Sequence, residues 1–187
     1  MTAVAVTAVV GLALSLGWQA YTLVRSRRRA AKERTEQAMA RLVNGVGQVC
    51  ISASSLEWSL AYLTGVAEGW DDEKFAHVIA RVRRPLEEFR KVMPKLEIFG
   101  AEDLARILAD AEALLGRRGR VVHSVMMLDT TVASAAVYEA WHAKTDTTWT
   151  VVPEDLNALA LEIMNCTAEV VGLTQAFLEA FSKQTAR

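Results

Sequence analysis

The 187-residue sequence predicts an all-α protein: an antiparallel helical bundle carrying a small β-hairpin insertion and preceded by one transmembrane helix. Three observations predict this. Apolar residues recur at spacings of three, four and seven over most of the chain, the period of one helix face. Thr2 to Val24 holds no charged residue. Only the region from Val132 to Val152 is rich enough in β-branched and aromatic residues to favour strands.

The N-terminal stretch comes first in the chain and in the argument. As a helix, Thr2 to Val24 would span about 34 Å at 1.5 Å per residue, enough for a hydrocarbon core of about 30 Å. Trp18 and Tyr21 lie near its end, where amphipathic rings settle at a membrane interface. Arg25, Arg27, Arg28 and Arg29 follow, with Lys32 and Arg34 behind them. A cleaved signal peptide would carry its positive charge before the apolar run, and here the order is reversed. The expected organisation is a transmembrane anchor over residues 1–25, a basic juxtamembrane segment and helical stalk over 26–47, and a helical domain over 48–187. By the positive-inside rule the protein crosses once, with its C-terminal domain cytoplasmic and residues 1–29 against lipid.

Ala30 to Leu63 reads as one long helix or two in line, with Ala38, Leu42, Val46, Val49, Leu56, Leu60 and Leu63 on one face. Gly45 and Gly47 predict a kink or a close helix contact in its middle. Gly65 to Trp70 is a turn, and Asp71 and Asp72 suit the start of a helix reaching about Met93. Pro85 should kink or split that helix, and Arg81, Arg83, Arg84, Arg90 and Lys91 would give it a basic face. After a loop over Pro94 to Gly100, Ala101 to Leu115 forms a helix with Leu104, Ile107, Leu108, Ala111, Leu114 and Leu115 inward. A glycine break at Gly116 to Gly119 should end it, and a further helix should run from Gly119 to about Asp129. Val137 to Ala143 and Thr148 to Val152, joined by a turn at Lys144 to Thr147, predict the hairpin. Pro153 opens a last helix to about Lys183, striped by Leu156, Leu159, Ala160, Ile163, Cys166, Val170, Leu173, Phe177 and Phe181.

Composition bounds the chemistry. The net charge is −1, so a nucleic-acid contact must come from a local patch rather than from the whole surface. Cys50 and Cys166 are the two cysteines, in no CxxC spacing, and read as free thiols of a reducing compartment. His77, His123 and His142 form no ligand pattern, so no metal and no cofactor is implied. His142 reads as a strand-face residue and His77 as a helix-surface or core histidine.

Leu115 to Ser124 (LGRRGRVVHS) is the stretch that carries chemistry. If a helix restarts at Gly119, Arg118 stands at its mouth and His123 on its second turn. A guanidinium and a group titrating near neutrality would then sit at a helix N-terminus, which favours phosphate. The competing reading makes Arg117, Arg118 and Arg120 a solvated basic cap and His123 a core histidine.

Arg118, Val121, Val122, His123 and Ser124 resemble the Arg-x(4–6)-His motif of the HEPN superfamily of all-helical ribonuclease-like domains. Gly119 departs from that motif, which usually carries a polar residue there, often Asn. The resemblance extends over Gln48 to Phe181, including Leu56 to Leu63 on an early helix and the late helix at Pro153 to Leu156. It implies a symmetric dimer with the two motifs face to face across a groove. It also implies metal-independent cleavage of RNA by attack of its own 2′-OH, in stress response or phage defence. His123 would act as base or acid, Arg118 would clamp the phosphate, and Arg117, Arg120 and Ser124 would add substrate contacts. Glu57 is a solvated or ion-paired carboxylate on the residues alone, and a support for the motif arginine on the resemblance. The implied partners are RNA, a second copy of the chain, membrane lipid, and a further protein of a defence or toxin–antitoxin kind. The alternative is a catalytically silent module that binds nucleotide or RNA, or a scaffold at the membrane.

Overall fold

A computed structural model describes residues 2–71, 73, 85–128, 138–142 and 145–185. Among them the protein is mostly helical, with one small antiparallel sheet. The helices are α1 (Thr2–Glu68), α2 (Pro85–Val92), α3 (Ala101–Val122) and α4 (Pro153–Thr185), and a 3-10 helix spans Met93–Phe99. The strands are β1 (Ser124–Leu128), β2 (Tyr138–His142) and β3 (Thr147–Val151). The chain divides into two compact units, Met1–Arg41 and Leu42–Arg187.

In the first unit Trp18 and Tyr21 are exposed and their rings lie 6.0 Å apart. Lys32 and Glu36 form an exposed pair one turn apart at 3.7 Å.

The second unit holds the core. On α1 the face expected from the sequence is buried at Leu42, Val49, Leu56, Leu60 and Leu63. Phe89 and Val92 of α2 and Leu96 of the 3-10 helix are buried as well. Leu104, Ile107, Ala111, Leu114 and Val121 of α3 and Leu156, Leu159, Ile163 and Val170 of α4 complete the core. Each fully buried side chain of this size contributes roughly 1.5–3 kcal/mol. At Gly45 the expected close helix contact is present: a Cβ there would lie 2.9 Å from Leu156 Cβ, so only glycine admits α4 at this distance. At Gly47 a Cβ would meet nothing within 4 Å.

The turn after α1 is a Schellman end. Gly69 takes φ 67°, its N–H donates to Val66 O at 3.1 Å, and Trp70 N–H donates to Gly65 O at 3.0 Å. Residues 72 and 74–84 lie outside the described residues, and with them His77, Arg81, Arg83, Arg84 and the expected helix start at Asp72. Pro85 is the first residue of the described helix α2, a position where its missing N–H has no partner to lose. The loop expected at Pro94 to Gly100 is largely the 3-10 helix. Arg90 pairs with Glu112 of α3 and Lys91 with Glu88, so these two cations are already spoken for.

Two corrections concern α3. It does not break at Gly116 to Gly119 but continues to Val122. The helix expected from Gly119 to Asp129 is therefore its last turn, followed by strand β1. The insertion is consequently a three-stranded meander in the order β1-β2-β3, with Met126 opposite Ala140 and Ala140 opposite Trp149. The expected hairpin is its second half. Asp146 makes the turn at φ 50° and its carboxylate accepts from Trp141 Nε1 at 3.1 Å.

Among the described residues, Pro153–Lys183 is a helix long and apolar enough to cross a membrane. Its inner face packs in the bundle, and Glu162 and Glu169 pair with Arg117 and Arg106 of α3. The core helix of a bundle meets the same criterion. Beyond the expected stripe it carries a second, exposed one at Leu161, Met164, Val171 and Leu178, and Phe181 is exposed rather than inward.

Glycine replacement tests this packing. Gly47→Ala should raise the melting temperature by about 1–4 °C, since helix-interior glycine costs roughly 0.5–1 kcal/mol against alanine. Gly45→Ala should lower it, because overpacking costs about 1–3 kcal/mol and outweighs that gain. Cys166 is buried, and desolvation first, with Glu169 and Asp110 nearby, pushes its thiol up to about 11. It stays protonated through neutral pH, so iodoacetamide should label the half-buried Cys50 in the native protein and Cys166 only after denaturation.

Candidate functional site

The candidate residues lie on the last turn of α3 and the first residue of β1. Along α3 the buried positions Leu104, Ile107, Ala111, Leu114 and Val121 are spaced three, four, three and seven apart. Arg118 falls in the gap, at the place in the stripe where an apolar residue would pack. Its side chain is 29% exposed and faces α1, where its Nη1 stands 4.0 Å from Glu57 Oε1. Its Nε is buried without a hydrogen-bond partner among the described residues. Glu57 is thus a carboxylate that stands beside Arg118.

His123 caps the C-terminus of α3 with φ −96°, and its N–H donates to Gly119 O at 3.1 Å. The residue is exposed, and its ring has no hydrogen-bond partner among the described residues. This overturns the placement on the second turn of a new helix. A helix C-terminus presents carbonyl oxygens and about half a negative charge, so the backbone here repels phosphate. Any phosphate must be held by arginine side chains. Five residues at 3.6 per turn also set Arg118 and His123 about 140° apart around the axis of α3. One copy does not bring the two onto a single face.

The auxiliary residues divide. Arg117 pairs with Glu162 of α4 through both nitrogens of its fork, Nη1 on Oε2 and Nη2 on Oε1, the latter at 3.4 Å. It ties α3 to α4, a role the sequence reading did not give it. Ser124 Oγ donates to Arg120 O and satisfies one of the orphan carbonyls of the helix end. Arg120 is exposed, with no ion pair among the described residues, and lines a cleft of about 210 Å³ with Trp149 and Asp155. No site-sized cluster of His, Cys, Asp and Glu suited to a metal occurs among the described residues.

Glu162 and the Trp149 cleft were not reachable from the motif alone. Extending the stripe of α3 through position 118 would have shown that Arg118 faces inward. The fold and site together define a mostly helical protein with a three-stranded meander at the end of its arginine-bearing helix. The chain matches no family model, no curated protein and no solved structure.

The continuity of α3 is open to a direct check. Neither Gly116 nor Gly119 would bring a Cβ within 4 Å of another group, and neither has a positive φ. Alanine at either position should therefore stabilise the protein by about 0.5–1 kcal/mol in urea unfolding. A break there, with a glycine in left-handed backbone, would make the same changes destabilising.

Proposed function

We propose that the chain is a membrane-tethered, metal-independent endoribonuclease of the HEPN type, working as a two-fold dimer. One observation carries the reading: a half-buried arginine interrupts an otherwise apolar stripe and faces a carboxylate rather than solvent. Folding does not require it, since an apolar residue there would avoid desolvating a cation. Positions where a chain breaks its own packing rule in this way are where function is sought.

In this reading Glu57 orients Arg118, whose fork binds the non-bridging oxygens of a phosphate. The exposed His123 ring accepts the proton of the 2′-OH as its oxygen attacks phosphorus. The 2′-O–P bond forms and the P–O5′ bond breaks, and the imidazole of the second copy gives a proton to O5′. The products are a 2′,3′-cyclic phosphate and a 5′-hydroxyl. Because Arg118 and His123 diverge on one helix, the arginine of one copy and the imidazole of the other share a phosphate across the two-fold axis. Residues 1–25 anchor the protein in the membrane, with the domain on the cytoplasmic side. Holding chains in one plane raises the effective concentration for pairing. A role in stress response or phage defence accords with cleavage of cellular RNA.

A second reading is binding of RNA without cleavage. It is favoured by Gly119 at the position where the motif usually has a polar side chain, and by the structural engagement of Arg117 and Ser124.

Full-length protein in detergent, given RNA with EDTA present, tests both. Cleavage should fall by about 10²–10⁴-fold in His123→Ala. It should fall by at least about 10²-fold in Arg118→Met, whose melting temperature should stay equal or rise. Equal cleavage in all three proteins refutes the assignment, and binding without cleavage establishes the second reading.

A further inference from the structure

We propose that the cleft between the end of α3, strand β3 and the first turn of α4 is a nucleobase pocket that takes one unpaired guanine of the RNA. It rests on RNA being the ligand, as above, and adds where and how one base would be read. The cleft measures about 210 Å³. That is below the roughly 300–1,000 Å³ of drug-sized sites, so it suits a single planar fragment.

Its lining fits that fragment. Trp149 of β3 is half-buried and supplies a ring on which any base can stack. Val121 and Leu159, both buried, make the apolar floor. Arg120 and Asp155 stand at the rim, exposed and charged. Arg117 also borders the cleft, but Glu162 already neutralises it.

The free charge is therefore one cation and one anion. A bare phosphate would gain Arg120 but meet the Asp155 carboxylate. A neutral base with an attached phosphate satisfies both: its N–H donors face Asp155 and its phosphate faces Arg120. Guanine is the base with two adjacent donors, N1–H and N2–H, matching the two oxygens of one carboxylate. Adenine offers one donor beside an acceptor, which the carboxylate would repel. Unpaired bases stacked on aromatic rings are the usual target of sequence-specific RNA recognition. His123 follows Arg120 by three residues, about 60° around the axis of α3, so a base held here belongs to a nucleotide near the one His123 would meet.

The test uses the full-length protein in detergent and labelled nine-nucleotide 2′-O-methyl RNAs, all uridine except for one central G, A or C. Without a 2′-OH these RNAs are bound and not cut. Fluorescence anisotropy should show the G-containing strand bound tightest. Trp149→Ala should weaken it by about tenfold or more, and Trp149→Phe should retain most of the affinity. Asp155→Asn should abolish the preference for G over A while leaving the A-containing strand unchanged. Equal binding of the three strands by the wild type overturns the proposal, and so does unchanged binding by a folded Trp149→Ala. The two readings fail separately. Trp149-dependent G binding in a protein that cuts no RNA would sink the nuclease and keep the pocket. His123-dependent cleavage with no effect of Trp149 or Asp155 on binding would do the reverse.

Discussion

The end of α3 is organised by one unfavourable choice: a guanidinium placed where the helix otherwise presents Leu, Ile, Ala and Val to the core. Arg118 reaches Glu57 on α1 at the outer limit of an ion pair, and both groups are about one-third exposed. Such a pair adds at most about 1 kcal/mol. A well-packed apolar residue at that position would match or exceed it. The arginine is therefore held in place by the bundle more than it holds the bundle together. This separates it from Arg117, one residue earlier, whose forked pairing with Glu162 joins α3 to α4 and has an evident structural use.

Which end of a helix the motif occupies decides what the backbone contributes. At an N-terminus, N–H groups would have formed a ready phosphate cradle. At the C-terminus they face inward, Ser124 and the His123 N–H occupy the last carbonyls, and the negative end of the dipole repels an anion. In the proposed dimer the arginines alone would supply the cationic stabilisation, and two copies of the motif would supply more of it than one. The meander that follows α3 turns the chain back so that β3 and the start of α4 flank Arg120, giving this end of the domain its cleft.

Much of this was legible in the sequence. The stripes of α1 and α4 were read with few errors because long periodic segments declare their inner face residue by residue. The second hairpin was legible from Trp149, Thr150 and Val151 set behind a turn. The end of α3 was not. Glycines at 116 and 119 argue locally for a break, yet together they cost only about 2 kcal/mol, and the burial of Leu114 and Val121 on either side overrides that. Ser124 to Leu128 holds an apolar run of only four residues, too short for periodicity to tell strand from helix, and only pairing with Tyr138 to His142 decides it. The ion pairs to Glu57 and Glu162 join residues distant in the chain, and spacing along one helix is blind to them.

The central claim is that Arg118 and Glu57 are a functional unit and only a minor structural one. A double-mutant cycle with Arg118→Met and Glu57→Gln, read in both urea unfolding and RNA cleavage, separates the two roles. The account predicts a stability coupling below about 1 kcal/mol, with Glu57→Gln impairing cleavage in the wild-type background and adding nothing once Arg118 is replaced. A large stability coupling, with cleavage or binding of RNA indifferent to both substitutions, would contradict it.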